Sequence, residues 1–381
     1  MWYLKTDTLL LLAGFAIVCA VLRKLSEKLC KKLPINYIFP LLELLILGLI
    51  DLGLLAFYAA YMALGLMLCR ALERPHKPIM FGLFCLLAIS PLFVSRSAVF
   101  GFEPRYPAIF IGVAFNMLKL TDAIFYVHYS GEHIDALTYT NYMLFLPVFT
   151  SGPIFRYRDF KKTYSSPVPL DSSELAEDVK RIIKGLFKKV VLFELIIMLQ
   201  TRLLSMGQHL YVSLALTFVS YFILYMDLSG YSDIAIGFGR ICGYNVPENF
   251  KKPWLAPTFT QFWRSWHSSL SDWIREHIYI LLVKKKLNKA KSALIALLTM
   301  VIMALWHGFN IPYFVVCGLY LGGLLAIENL LGKTTVSKRK TKRSVYYLRC
   351  FAVNFLFAVN TLVFTLPEGE FLNVLRGFIR L

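Results

Sequence analysis

The strongest constraint on this chain is a repeated one: aliphatic stretches of helical length recur from end to end. The clearest are Leu9–Val21, Ile79–Val94, Ala108–Val127, Val190–Leu199, Leu210–Met226, Ala293–Leu305, Tyr313–Ile327 and Val345–Leu366. A helix needs about 20 apolar residues to cross a bilayer core, and lipid offers the backbone no hydrogen-bond partner. These runs predict an all-α, polytopic integral membrane protein. The composition agrees: 57% hydrophobic and 17% charged is more apolar and less charged than a soluble domain. Several runs are short or interrupted by Pro40, Pro91, Pro147, Pro153, Gly230 or Gly237. Irregular backbone at membrane depth survives only when protein or a wet cavity covers it. Some segments are therefore expected to be tilted or re-entrant. At about 20 residues per span, roughly ten or eleven membrane helices are expected.

The net charge is +18, and the cations cluster at 23–32, 70–77, 156–189, 284–291 and 333–343. Basic loops stay on the cytoplasmic side, which puts both termini outside. The charge is explained by topology and lipid contact, and nothing else points to nucleic acid. Strict alternation fails in the middle. The stretch 78–128 holds two spans, yet the acidic "GEHIDAL" after it reads as external, so one span is expected to fall short of a crossing. The seven cysteines are scattered with no CxxC, implying neither a disulfide framework nor a metal site. Leu9–Val21 followed by basic residues reads as a retained signal anchor. The polar stretch 156–184 reads as a cytoplasmic loop leading into a helix, and "DSSELAEDV" suits that helix's first turn. With no long linker and no fixed repeat, 1–381 is expected to be one membrane domain.

Four polar constellations stand out against this background. "QFWRSWHSSLSDWIREHIYI" holds three of the six tryptophans. Read as one helix over 262–278, it places Arg264, His267, Ser268, Ser271, Asp272 and Arg275 on one face. Trp263, Trp266, Leu270, Trp273 and Ile274 share another. This reads as an interfacial anchor, or as a helix carrying a tunable acid–base group in His267. His307, in "MALWHGFN", ends an uncharged run, and ionisable groups at that depth mark function by default. It is either a helix-end histidine bonded to a carbonyl or a general base in a pocket poor in water. Gly308 beside it permits close approach. "DLSGYSD" sets Asp227, Ser229, Ser232 and Asp233 in apolar surroundings, as a cation site, a polar lining or a kink. "FLPVFTSGPIFRYRDF" reads as a membrane-entry turn at a basic interface.

Together "FTSGPIFRYRDF", the block from "DLSGYSD" to "REHIYI", and "MALWHGFN" resemble the membrane-bound O-acyltransferase family. The resemblance covers residue 140 to the C-terminus well and the N-terminal third by hydropathy alone. It implies a ring of tilted helices around a thin central floor pierced by a tunnel. The family's catalytic histidine matches His307, and His267 matches a second polar position of the bacterial branch. The implied substrate-binding residues are Trp306, Gly308, Trp266, Arg264, Ser271, Asp233 and Ser232. Bacterial polysaccharide O-acetyltransferases follow the Trp-His helix with "PLGG"; here "YILLVKKKLNKAKSAL" stands in its place. That continuation is more similar to teichoic acid D-alanyltransferases, although "DLSGYSD" resembles the acetyltransferases equally.

The resemblance implies no bound cofactor. The donor would be a phosphopantetheine thioester on a small acidic carrier protein, docked on Lys284, Lys285 and Lys286. The acceptor would be a hydroxyl of an extracytoplasmic polymer such as teichoic acid. A polysaccharide O-acetyltransferase is the alternative within the family. A transporter of lipid-linked glycans would suit the broken helices and buried aspartates, though no inverted repeat is visible. A non-catalytic scaffold of cell-wall assembly is the third reading.

Overall fold

The computed structural model describes residues 6–28, 34–75, 77–96, 110–282, 288–307, 313–367 and 369–379. Among these the chain is helical, with no strand. Leu52–Leu72, Pro78–Ser95, Leu210–Ile241, Lys289–His307 and Arg343–Thr365 are long and apolar enough to cross a membrane, and Ile35–Ile50 and Val315–Leu331 are shorter apolar helices. Five described helices thus meet the length for crossing, where roughly ten or eleven crossings were expected. The Leu210–Ile241 helix runs 32 residues, about 48 Å at 1.5 Å per residue.

The helix breakers divide into two classes. Pro40 and Pro91 lie inside helices, and Gly230 and Gly237 lie inside the unbroken Leu210–Ile241 helix. Neighbouring helices and local adjustment compensate for the lost bond in membrane helices. Pro147 and Pro153 do mark irregular backbone. Elsewhere a single residue suffices for a break. Asp51 separates Ile35–Ile50 from Leu52–Leu72; its N–H donates to Leu47 O and its carboxylate accepts from Leu54 N at 2.7 Å. One residue closes one helix with its backbone and caps the next with its side chain.

The described residues gather into two compact units. The first comprises Met1–Ile182 and Ile234–Pro247, the second Ile183–Asp233 and Glu248–Leu381. The first is built around the irregular segment 145–156, whose only regular element is a 3-10 turn at Leu146–Val148. This segment is buried, not a turn at the basic interface, so its backbone needs internal partners. Side chains of the surrounding helices supply them. Leu146 N donates to Glu43 Oε1 at 3.0 Å, and Asn116 Nδ2 donates to Phe149 O at 2.8 Å. The Tyr142 hydroxyl donates to Phe155 O at 3.0 Å, and Tyr157 N donates to the Asp122 carboxylate at 2.5 Å. Just before the segment, Lys119 Nζ donates to Met143 O at 2.9 Å. Phe145, Phe155, Phe160 and Tyr244 pack around it as an aromatic cluster.

Two expectations about this unit are corrected. The acidic "GEHIDAL" lies beside the basic cluster at 70–77 and the start of the one at 156–189, within the same unit. Glu73 accepts from Ile134 N at 2.9 Å and pairs with His133 at 2.8 Å, while Lys161 pairs with Glu132 at 2.6 Å. Of the two segments in 78–128, Pro78–Ser95 is long and apolar enough to cross a membrane and Val113–Ser130 is not, in keeping with one span falling short of a crossing. Arg23, counted among the topology-setting cations, is buried instead. Its guanidinium donates to Ile241 O at 2.6 Å, to Arg240 O at 3.1 Å and to Val168 O, capping the long helix where its last carbonyls lack partners. The polar stretch after residue 156 holds two helices, Tyr157–Ser165 and Ser172–Leu186; the second has Glu174 in its first turn, as the sequence predicts.

Candidate active site

The tryptophan-rich stretch is not one helix. Phe259–Trp263 ends at Arg264, and a new helix starts at Ser268. Between them His267 adopts φ 45°, ψ 48°, a left-handed conformation uncommon outside glycine and a marker of local constraint. The break overturns the two-face pattern expected of a continuous helix. It also overturns the anchor reading of the tryptophans. Trp266 is buried among Phe262, Tyr221, Phe250 and Phe357, with ring centroids 4.8–5.6 Å away. Trp273 is buried and stacks on His277 at 4.3 Å. These rings form core; they do not float at a lipid interface.

The break is held from outside by residues 248–251. Lys251 N donates to Ser265 O and Ser268 N donates to Asn249 O, both at 2.8 Å. These two bonds bracket Trp266 and His267. The Ser268 hydroxyl donates to Glu248 O at 2.7 Å. His267 itself is 7% exposed, and its Nδ1 has no hydrogen-bond partner among the described residues. Burial pushes its pKa down to about 4, because a charged imidazole loses its hydration there. The ring is neutral at pH 7, with one N–H to give.

Beside the turn opens a cleft of about 300 Å³. Trp263, Arg264 and Ser271, which flank His267 in sequence, line it with Arg275, Thr299 and Met303. Arg275 is paired with Asp272 at 2.9 Å. The Trp263 indole nitrogen is buried without a partner among the described residues. The cleft thus offers guanidinium groups beside aromatic, thioether and aliphatic wall. That surface suits a ligand with an anionic and an apolar part. Its other wall is the Lys289–His307 helix, whose last residue is His307. His307 is exposed, with its ring 4.7 Å from Trp306, itself half-buried, and 6.1 Å from Phe364. The burial expected of His307 is found at His267. Gly308, Lys284, Lys285 and Lys286 lie outside the described residues.

Asp233 and Ser232, expected to bind substrate, are engaged within the protein. Asp233 pairs with Lys188 at 2.6 Å, and Asp227 pairs with the buried Lys189. The two lysines straddle Gly230, where an added Cβ would lie 2.9 Å from Gly185 O. Glycine is required there because two helical backbones nearly touch. The Ser232 hydroxyl donates to Leu228 O and accepts from Asn249 Nδ2 at 3.1 Å. "DLSGYSD" is thus a packing seam inside an unbroken helix. Sequence reasoning missed Lys188 and Asn249. Lys188 was readable only as topology, and Asn249 carries no local signal.

The chain has recognisable relatives. A family model described as membrane-bound O-acyltransferase matches residues 37–366. A probable alginate O-acetylase of Pseudomonas syringae pv. tomato is 32% identical over 230 residues, covering 59% of this chain and 44% of that protein. A teichoic acid D-alanyltransferase of Streptococcus thermophilus is 33% identical over 221 residues, 54% of this chain and 53% of its own. One from Bacillus subtilis is 27% identical over 305 residues, with 75% and 76% covered. The chain spans about half the length of the first two relatives. With the family matched over most of its length, the chain belongs to the membrane-bound O-acyltransferases.

Proposed function

We propose that this protein is a multi-pass O-acyltransferase of a bacterial plasma membrane, moving an acyl group from a thioester to a hydroxyl of a cell-envelope polymer. The observation that carries the reading is His267: a buried, neutral imidazole, in a left-handed turn whose neighbours line a cleft, in a chain of an acyltransferase family. The preferred acyl group is D-alanyl and the acceptor teichoic acid, supported by the relatives bearing that name and by the basic continuation after residue 280. Acetyl transfer to a polysaccharide is the second reading, supported by the alginate O-acetylase relative.

The donor is a phosphopantetheine thioester on a small acidic carrier protein. It enters the cleft from the cytoplasmic side, where the cations at 284–291 lie, and Arg264, Trp263 and Ser271 receive it. The acceptor comes from the opposite side, which also holds both termini. His307 takes the hydroxyl proton, and the oxygen attacks the thioester carbonyl. The tetrahedral intermediate collapses with cleavage of the C–S bond. The leaving thiolate takes the proton from His307, so the base is restored. His267 gives its single N–H to the carbonyl oxygen as negative charge develops there. Trp306 and Gly308 are the residues we assign to the path of the acceptor.

His307→Ala is expected to lower transfer by at least about 1,000-fold, and His267→Ala by about 100-fold, with thermal stability near wild type. Wild-type turnover in a folded His307→Ala protein would overturn the assignment. Replacing Lys284, Lys285 and Lys286 by Glu is expected to raise KM for the carrier and its salt dependence, since charge complementarity governs encounter. Unchanged carrier affinity in a correctly inserted variant would remove the docking surface.

A further inference from the structure

The left-handed turn at His267 is held by a polar chain that begins far away in sequence. Ser232, on the Leu210–Ile241 helix, accepts from Asn249 Nδ2 at 3.1 Å. Asn249 is 2% exposed, and its Oδ1 accepts from the Ser269 hydroxyl at 2.8 Å and from Ser269 N at 3.3 Å. Its backbone oxygen accepts from Ser268 N at 2.8 Å. One residue therefore binds both peptide N–H groups that follow His267. Those are the first donors of the Ser268–Ile274 helix, which have no partner within it. His267 stands at that helix's N-cap position, with no side-chain bond closing the turn. An N-cap side chain ordinarily supplies such a bond. Here Asn249 supplies it from outside, and the imidazole is left over. The ring of the next residue, Phe250, packs 6.5 Å from His267 and 5.1 Å from Trp266.

We infer that Asn249 is a positioning residue for His267: it does the capping that residue 267 would otherwise do, fixes the left-handed backbone, and leaves the imidazole Nδ1 unengaged. Three features agree with this division of labour. The buried Nδ1 has no partner among the described residues. Both hydrogen-bonding ends of the Asn249 amide are engaged. The anchor, Ser232, sits one residue from Asp233, which Lys188 holds, so the chain ends on a rigid seam. The inference rests on the proposed function only in taking His267 as part of the reacting site; the geometric claim stands apart from it.

The test uses the full-length protein in detergent or nanodiscs and three substitutions. Asn249→Ala removes both amide ends. Asn249→Asp keeps the acceptor for Ser269. Ser269→Ala removes that one contact. Two quantities are read: acyl transfer per folded molecule, split into kcat and KM, and the rate at which diethylpyrocarbonate modifies His267, located by mass spectrometry. Asn249→Ala is expected to lower kcat about 10- to 100-fold, in the range of losing a well-placed donor, with KM for the donor within about twofold. His267 modification is expected to rise about tenfold or more. Asn249→Asp should recover most of both, with Ser269→Ala between. If Asn249→Ala does not fold, the other two variants carry the same comparison. Lower folded yield with wild-type kcat and wild-type His267 reactivity would overturn the inference, because Asn249 would then only support the fold. If the wild-type protein transfers no acyl group, the proposed function fails, while the modification rates still decide whether Asn249 fixes His267.

Discussion

Two irregular segments illustrate different uses of buried polar groups. At 145–156 in the first unit, the polar side chains come from neighbouring helices and end on the backbone of the segment and of the residue that follows it: Glu43 on Leu146 N, Asn116 on Phe149 O, Asp122 on Tyr157 N. At 248–271 in the second unit, backbone and amide groups of one strand of chain hold another, and the residue they frame keeps its ring nitrogen unpaired. In the first, the polar side chain is the support. In the second, it is what the support presents. A buried ionisable group by itself therefore does not mark a reacting site. The distinguishing feature is whether its polar atoms are already committed to the fold.

That distinction has its largest consequence at Asp122. Its carboxylate accepts from Tyr157 N at 2.5 Å and from the Tyr142 hydroxyl at 3.4 Å, in the buried core of the first unit. Asp122→Ala strands a buried N–H. The expected cost is roughly 3–5 kcal/mol, the upper range for a buried partner of charged type. Thermal stability should fall sharply, while kcat per folded molecule stays within about threefold. His267→Ala is expected to give the opposite pair of results. An Asp122→Ala protein of normal stability but no turnover would dissolve the comparison and move Asp122 into the reacting site.

The sequence made the second segment's location legible and its shape illegible. Trp, Arg, Ser and His crowded between apolar runs flag 261–280 as special, and within it His267, which the fold buries. A 3.6-residue period nevertheless drew one straight helix through it. The break at 264–267 comes from residues 248–251, whose two backbone bonds cross the turn, and no local pattern encodes a partner so placed. The reverse holds at 145–156. Pro147 and Pro153 announced irregular backbone correctly, but Glu43, Asn116, Lys119 and Asp122 were passed over. Each is a polar residue in an apolar run, as in "LLELLIL" and "AFNMLKLTDAIF", and that mismatch was the available signal. Which backbone group each would satisfy is settled only by packing. The aspartates of "DLSGYSD" show the same limit, since their lysine partners lie some forty residues upstream.

A smaller effect sharpens the contrast through pH. The His267 imidazole is neutral because it is buried, with its pKa pushed from the ordinary 6.5 down to about 4. Between those values the unfolded chain binds a proton that the folded chain refuses. Stability from this group is therefore complete above about pH 6.5, falls as pH drops, and levels off below about 4. The full swing is about 3 kcal/mol, at 1.36 kcal/mol per pKa unit. The measurement is the difference in thermal midpoint between wild type and His267→Gln, taken from pH 7.5 to pH 4.5. Wild type should lose ground steadily below pH 6.5 relative to the variant, which has no proton to refuse. Activity supplies the second arm. A ring that stays neutral from pH 5 upward does not produce an acid limb in kcat, so any such limb should persist in His267→Gln and vanish with loss of another group, His307 first. A stability difference independent of pH would mean that His267 reaches solvent or finds an acidic partner. The second segment would then resemble the first, with its polar group committed to the fold.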